Sequence, residues 1–206
     1  YLKEKIGFQY PDTYWLKSLL DNILTDERWD LKFIGMQIII EGLALAAFNN
    51  MKVILNDGLL KQLLHYVIRD EARHVTFGVN YLEDYLKTLK KSEIEDRAQF
   101  AFEACVVMRD RLITGDVMSR FLDVSKEEAT ELTANSQQGE HFKNMLFTKI
   151  IPNLTRIGLI TDKVKPKYDK LGVLSYQEME DNFHPDWAEI SKPYETQEEI
   201  EKAIGI

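Results

Sequence analysis

Apolar positions along this chain recur with a helical period over most of residues 1–160, and no stretch alternates convincingly in the manner of a strand. Pro11 and Asp12 open a short predicted helix through about Leu24, with Trp15, Leu16, Leu19, Leu20 and Ile23 on one face and proline in the favoured first turn. Thr25-Asp26-Glu27-Arg28 breaks it. A long apolar helix is expected from about Trp29 to Ile54, then a turn at Asn56-Asp57-Gly58, then a second long helix from about Leu59 to Leu89. Ser92-Glu93-Ile94-Glu95 and Ser125-Lys126-Glu127-Glu128 match the capping-box pattern, which starts further helices near residues 93 and 126. Leu146, Ile150, Ile151, Leu154 and Ile157 continue an apolar face around Pro152, which is expected to kink or end its helix. From Thr161 the character changes, with Pro166, Pro185, Pro193 and the acidic run Glu178-Met179-Glu180-Asp181. The expected fold class is all-α, a helical bundle over 1–160 followed by an extended tail over 161–206. Tyr168, Tyr176, Phe183, Trp187 and Tyr194 imply that much of the tail docks, since a free tail rarely carries so many aromatics.

Composition narrows the function classes. With 206 residues and 45% hydrophobic content the chain can bury a sizeable core as one domain. Its 26 basic and 34 acidic residues leave a net charge of −8, which disfavours a nucleic-acid or anionic-membrane surface as the main partner. The apolar run around Glu41 is interrupted by Gln37, Glu41 and Asn49-Asn50, so it reads as a core helix and not as a membrane span. The single cysteine, Cys105, cannot form an intramolecular disulfide and reads as a small buried hydrophobe. A reducing cytoplasm is the expected compartment.

The chemistry concentrates in Arg69-Asp70-Glu71-Ala72-Arg73-His74. Residues three apart share a helical face, so Glu71 and His74 can address one point, with Asp70 beside them. Leu63, Val67, Phe77, Tyr81 and Tyr85 recur around the pair, which places it on a stripe expected to face the core. The preceding helix is apolar nearly all round and carries Glu41 in its middle. A lone buried carboxylate must bind a cation, pair with a donor or take up a proton. Glu41 lies sixteen residues before Asp57 and His74 seventeen after it. At about 1.5 Å per residue, an antiparallel hairpin folded at Asp57 brings Glu41, Glu71 and His74 to nearly one height.

A carboxylate on one helix and Glu-x-x-His on the next form the repeating half of the carboxylate-bridged di-iron or di-manganese site of ferritin-like bundles. Met36-Gln37-Ile38-Ile39-Ile40-Glu41-Gly42-Leu43-Ala44-Leu45-Ala46-Ala47-Phe48, followed by Arg69 to Val79, resembles the bacterial ferritin-like proteins related to the small subunit of class I ribonucleotide reductase and to di-iron N-oxygenases. The resemblance covers most of residues 1–160. It implies a di-iron oxidase or oxygenase that uses O2 on a small-molecule substrate, with Glu41, Glu71 and His74 as metal ligands and Asp70 as an acceptor orienting a ligand histidine of the other half. Iron is the implied metal and manganese the substitute. No segment upstream of Glu41 or downstream of His74 carries a second carboxylate with Glu-x-x-His, so the chain is read as N-terminally truncated. Loss of the cover over its apolar faces predicts an exposed hydrophobic groove and self-association, as a homodimer.

A plainer reading stands beside this one. Glu-x-x-His by itself is a weak signal, and Glu71 and His74 can pair with Arg69 or Arg73 or face a water-filled groove. The chain is then a non-catalytic helical protein with a vestigial or weak metal site. A dimer joining two half-sites is a third route. Tyr66 and Tyr81 lie near the site but are read as packing residues, and His65, His141 and His184 as surface or packing residues. Gly42, Ala44, Ala46, Ala47 and Gly78 fit close helix packing as well as a substrate channel.

Overall fold

The turn at Asp57 shows how directly local sequence sets the frame. Asp57 takes up extended backbone, with φ −101° and ψ 114°, and its Oδ1 accepts the Leu60 N–H at 2.7 Å. This satisfies one of the unpaired donors that open every helix and fixes where the second long helix begins. In the computed structural model, residues 2–7, 14–112, 118–119, 122–179 and 196–204 are described, and every regular element among them is helical. In chain order these are α1 (Leu2–Ile6), α2 (Tyr14–Thr25), α3 (Trp29–Ile54), α4 (Gly58–Leu86), α5 (Lys91–Leu112), α6 (Lys126–Ala134), α7 (Gln137–Arg156), α8 (Lys165–Lys170), a 3-10 turn (Leu174–Glu178) and α9 (Gln197–Ile204).

The long apolar helix predicted over 29–54 is present, but it is not α-helical throughout. Ile34–Ile40 is π-helical, and the Glu41 N–H reaches back to Met36 O, five residues away. A π segment winds more residues into each turn and so changes the direction in which the following side chains project. Glu41 is the first residue beyond it. Gly35, inside the segment, lets α2 come close, since a Cβ there would lie 2.5 Å from Ile23 Cδ1. Ile23 and Leu19 are buried against this surface, whereas Trp15 and Leu16 have side chains outside the described ones.

α3 forms the centre of the bundle, packing along α4 and α7, while its π segment also meets α5. Ile34, Ile38, Ile39 and Leu45 of α3 join Val75, Val79 and Leu82 of α4 and Leu146, Phe147 and Ile150 of α7 in one core. Trp29–Ile54 is long and apolar enough to cross a membrane by length and composition, and half of its most apolar window is buried within the bundle. That is the packing expected of a core helix.

Three expectations are corrected. The helix predicted near residue 93 starts at Lys91, where it is Glu93 that reaches back and accepts the Lys90 N–H at 2.9 Å. Glu95, the acid of the predicted capping box, instead accepts the Thr161 hydroxyl at 2.8 Å. Pro152 does not end its helix, since α7 continues to Arg156 and closes over Gly158, which has φ +77°. The Leu159 N–H returns to Leu154 O, so the chain is capped four residues beyond the proline. Finally, residues 161–179 are not an extended tail. They carry α8 and the 3-10 turn, and Val164, Tyr168 and Val173 are wholly buried in the same core, so the bundle does not stop at residue 160. The tail aromatics Phe183, Trp187 and Tyr194 lie outside the described residues.

Candidate metal centre

Two helices position the site. α3 supplies Glu41 directly after the π segment, and α4 supplies Glu71 and His74 one turn apart. His74 Nδ1 lies 3.3 Å from Glu71 Oε2 and 3.8 Å from Glu41 Oε1. One possible ligand atom from each of the three residues lies within 4.8 Å of the other two, a spacing at which one cation can be shared among them. The hairpin register therefore brings together the three residues singled out by their spacing.

The electrostatics centre on Glu41. Its Oε2 is buried and has no hydrogen-bond partner. Burial, with the repulsion of Glu71 added, pushes its carboxyl up from the ordinary value to about 7, and His74 partly offsets the shift. A carboxylate in this position gains from a positive charge, either a proton or a metal ion. Two carboxylates and an imidazole suit iron or manganese, so both the donor set and the orphaned oxygen fit such an ion.

The His74 side of the site faces outward, contrary to the expectation of a core-facing stripe. The core side of α4 is formed by Leu64, Ala72, Val75, Val79, Leu82 and Leu86. Leu63, Phe77 and Tyr81, which recur around the Glu71 and His74 pair, are 56%, 48% and 54% exposed, and the His74 side chain is 57% exposed. Phe77 and Tyr81 are not isolated, because they stack at 6.0 Å and meet Trp29, Phe33 and Tyr85 in an aromatic cluster at the far end of the stripe. A long helix apolar on two sides leaves its period unable to say which side is covered.

Asp70 stands apart from the cluster, where its Oδ1 accepts from Arg73 at 2.6 Å on the same helix. His65 approaches Lys52 Nζ at 3.4 Å, His141 is exposed, and His184 lies outside the described residues. Gln37, which along the chain only interrupts an apolar run, is a residue that spacing did not single out. Its Oε1 is buried without a hydrogen-bond partner one turn before Glu41. The available signal was a polar residue on the apolar helix four positions ahead of the carboxylate. Comparison of the chain with family models, curated proteins and solved structures returned no match.

Proposed function

We propose that this chain is part of a ferritin-like, carboxylate-bridged di-iron oxidoreductase, with Glu41, Glu71 and His74 as the metal ligands of one half-site. The observation that carries the reading is the unpartnered, buried Glu41 Oε2 in a group of three ligand residues contributed by two helices. In such a centre Glu41 and Glu71 supply the negative charge and His74 a neutral nitrogen donor, and the aliphatic residues of α3 keep the Glu41 carboxyl largely buried. When bound, iron or manganese supplies the redox chemistry for O2-dependent oxidation of a small-molecule substrate. Asp70 is held by Arg73, so its service to a histidine of a second half would require that contact to be shared or exchanged.

Among the described residues one such group of three is found, whereas a two-metal centre needs a second set. The exposed stripe of Leu63, Phe77 and Tyr81 beside His74 is the face on which further helices, or a second copy in a homodimer, would sit. The cytoplasm is the compartment that goes with this reading. The second reading, a non-catalytic helical protein, draws support from the 57% exposure of His74 and its existing contact with Glu71.

Elemental analysis of the purified chain separates the two readings. Iron or manganese near stoichiometry, lost in Glu41→Ala and in His74→Ala, is the result expected of a working half-site. Metal at background in the parent chain, after incubation with excess Fe2+ or Mn2+ without oxygen, would overturn metal binding by this chain.

A further inference from the structure

We propose that Gln37 is a positioning residue for the same centre, holding a water-sized O–H donor beside the Glu41, Glu71 and His74 cluster. The inference rests on reading that cluster as a metal half-site. Gln37 lies one turn before Glu41 on α3, and Gly78 lies one turn after His74 on α4. A Cβ at position 78 would stand 2.8 Å from Gln37 Oε1 and 2.9 Å from Gln37 Cβ. Gly78 is therefore what lets the amide lie in the seam between the helices. The contacts Gln37 with Gly78 and Glu41 with His74 run in opposite directions along the two helices, which puts the amide and the ligand cluster on consecutive turns of one antiparallel seam.

Two oxygens in this seam, Gln37 Oε1 and Glu41 Oε2, are buried and have no hydrogen-bond partner. Buried acceptors without donors are costly, and α3 presents nearly nothing but aliphatic side chains between them. An amide oxygen can only accept, so its missing partner must be a donor. A cation serves Glu41 but leaves no O–H or N–H for Gln37. A water held by a cation at the cluster would serve both, because it could donate a proton to the amide oxygen. Gln37 thus orients the solvent ligand of the centre without touching the metal.

The test uses the full chain loaded with Mn2+ alone and reads the water-proton relaxation rate per bound ion, which reports exchangeable water on the metal. Gln37→Met keeps the length and flexibility of the side chain and removes its hydrogen-bonding groups. It is expected to retain Mn2+ while changing the relaxation rate by the share of one coordinated water. Gln37→Glu keeps an acceptor at the same place and is expected to stay near the parent rate, and it remains informative if Gln37→Met fails to fold. Gly78→Ala, which crowds the amide out, should resemble Gln37→Met. Normal Mn2+ binding with the parent rate in Gln37→Met and Gly78→Ala would overturn the role of Gln37 and leave the metal site standing. So would an altered rate in Gln37→Glu as large as in Gln37→Met. Failure of the parent chain to bind Mn2+ would overturn both inferences together.

Discussion

His74 Nδ1 on α4 lies 3.8 Å from Glu41 Oε1 on α3, and the free oxygen of that same carboxylate is buried without a partner. One oxygen of the carboxyl group approaches the imidazole and the other is shut away from bulk water, where a proton or a cation can serve it. Its proton affinity and its metal affinity are therefore opposite uses of one oxygen pair.

The pH dependence of stability follows from that competition. Folding raises the Glu41 pKa from the ordinary 4.5 to about 7 because burial and Glu71 disfavour its charge. The protonated form is thus favoured in the folded chain. Its contribution is fully present below pH 4.5, declines as the pH rises to 7, and is absent above. With a chelator present, Glu41→Gln should remove about 2 kcal/mol of this decline between pH 5 and 8, read as the difference between parent and variant urea midpoints. Metal affinity should change in the other direction and rise through pH 7, as the ion displaces the proton. Parallel pH profiles for parent and variant would contradict the assigned burial of Glu41.

Asp30 and Arg97 form the charge pair that anchors α3 to α5. Arg97 Nε donates to Asp30 Oδ2 at 2.7 Å, and the two side chains are 9% and 2% exposed. Arg28 reaches the same region through Asp96, at 2.5 Å. Removing Asp30 leaves the buried Arg97 guanidinium with only the half-exposed Asp96 carboxylate, 3.1 Å from its Nη1, as compensation. Asp30→Ala should cost about 3–5 kcal/mol in chemical denaturation. Replacing both by apolar residues, as in Asp30→Leu with Arg97→Met, should cost markedly less than the sum of the two single changes.

Gly35 is required by a close approach. A Cβ at that position would lie 2.5 Å from Ile23 Cδ1 and 2.7 Å from Ile23 Cγ1, and Ile23 is wholly buried. Gly35→Ala should destabilise the chain by about 1–3 kcal/mol through overpacking. In an Ile23→Ala background the same change should be nearly neutral, and a double-mutant cycle measures the coupling. Additive costs would mean that α2 does not pack on the π segment as described.

Cys105 is fully buried, and burial pushes its thiol up to about 12. It should resist a water-soluble disulfide reagent at pH 8 in the folded chain and react completely once the chain is unfolded. Since the thiolate is the reacting species, a native rate close to that of the unfolded chain would show that the core around Tyr168 and Phe102 opens readily.

Much of the helical frame was legible along the chain because its determinants are local. Asp57 and Ser125 cap the helices they precede, with the Leu60 and Glu128 N–H groups as donors, as their side chains and positions dictate. The height match of Glu41, Glu71 and His74 follows from helix rise and the position of the turn alone. Asp70 was less legible, because Arg73 offers it a partner three residues along the same helix, while the sequence equally allows Arg73 to serve Glu71 or His74.

Sequence by itself therefore determined the all-helical class, the hairpin and the grouping of Glu41, Glu71 and His74, since caps, period and rise act within one or two elements. Tertiary structure decided which side of α4 is covered, and so left Phe77, Tyr81 and His74 facing outward. It also decided that Val164, Tyr168 and Val173 complete the core, and that Gln37 lies over Gly78 beside the site. Burial is a property of neighbours brought together from distant parts of the chain, and a helix with two apolar faces carries no local signal of which one will find them.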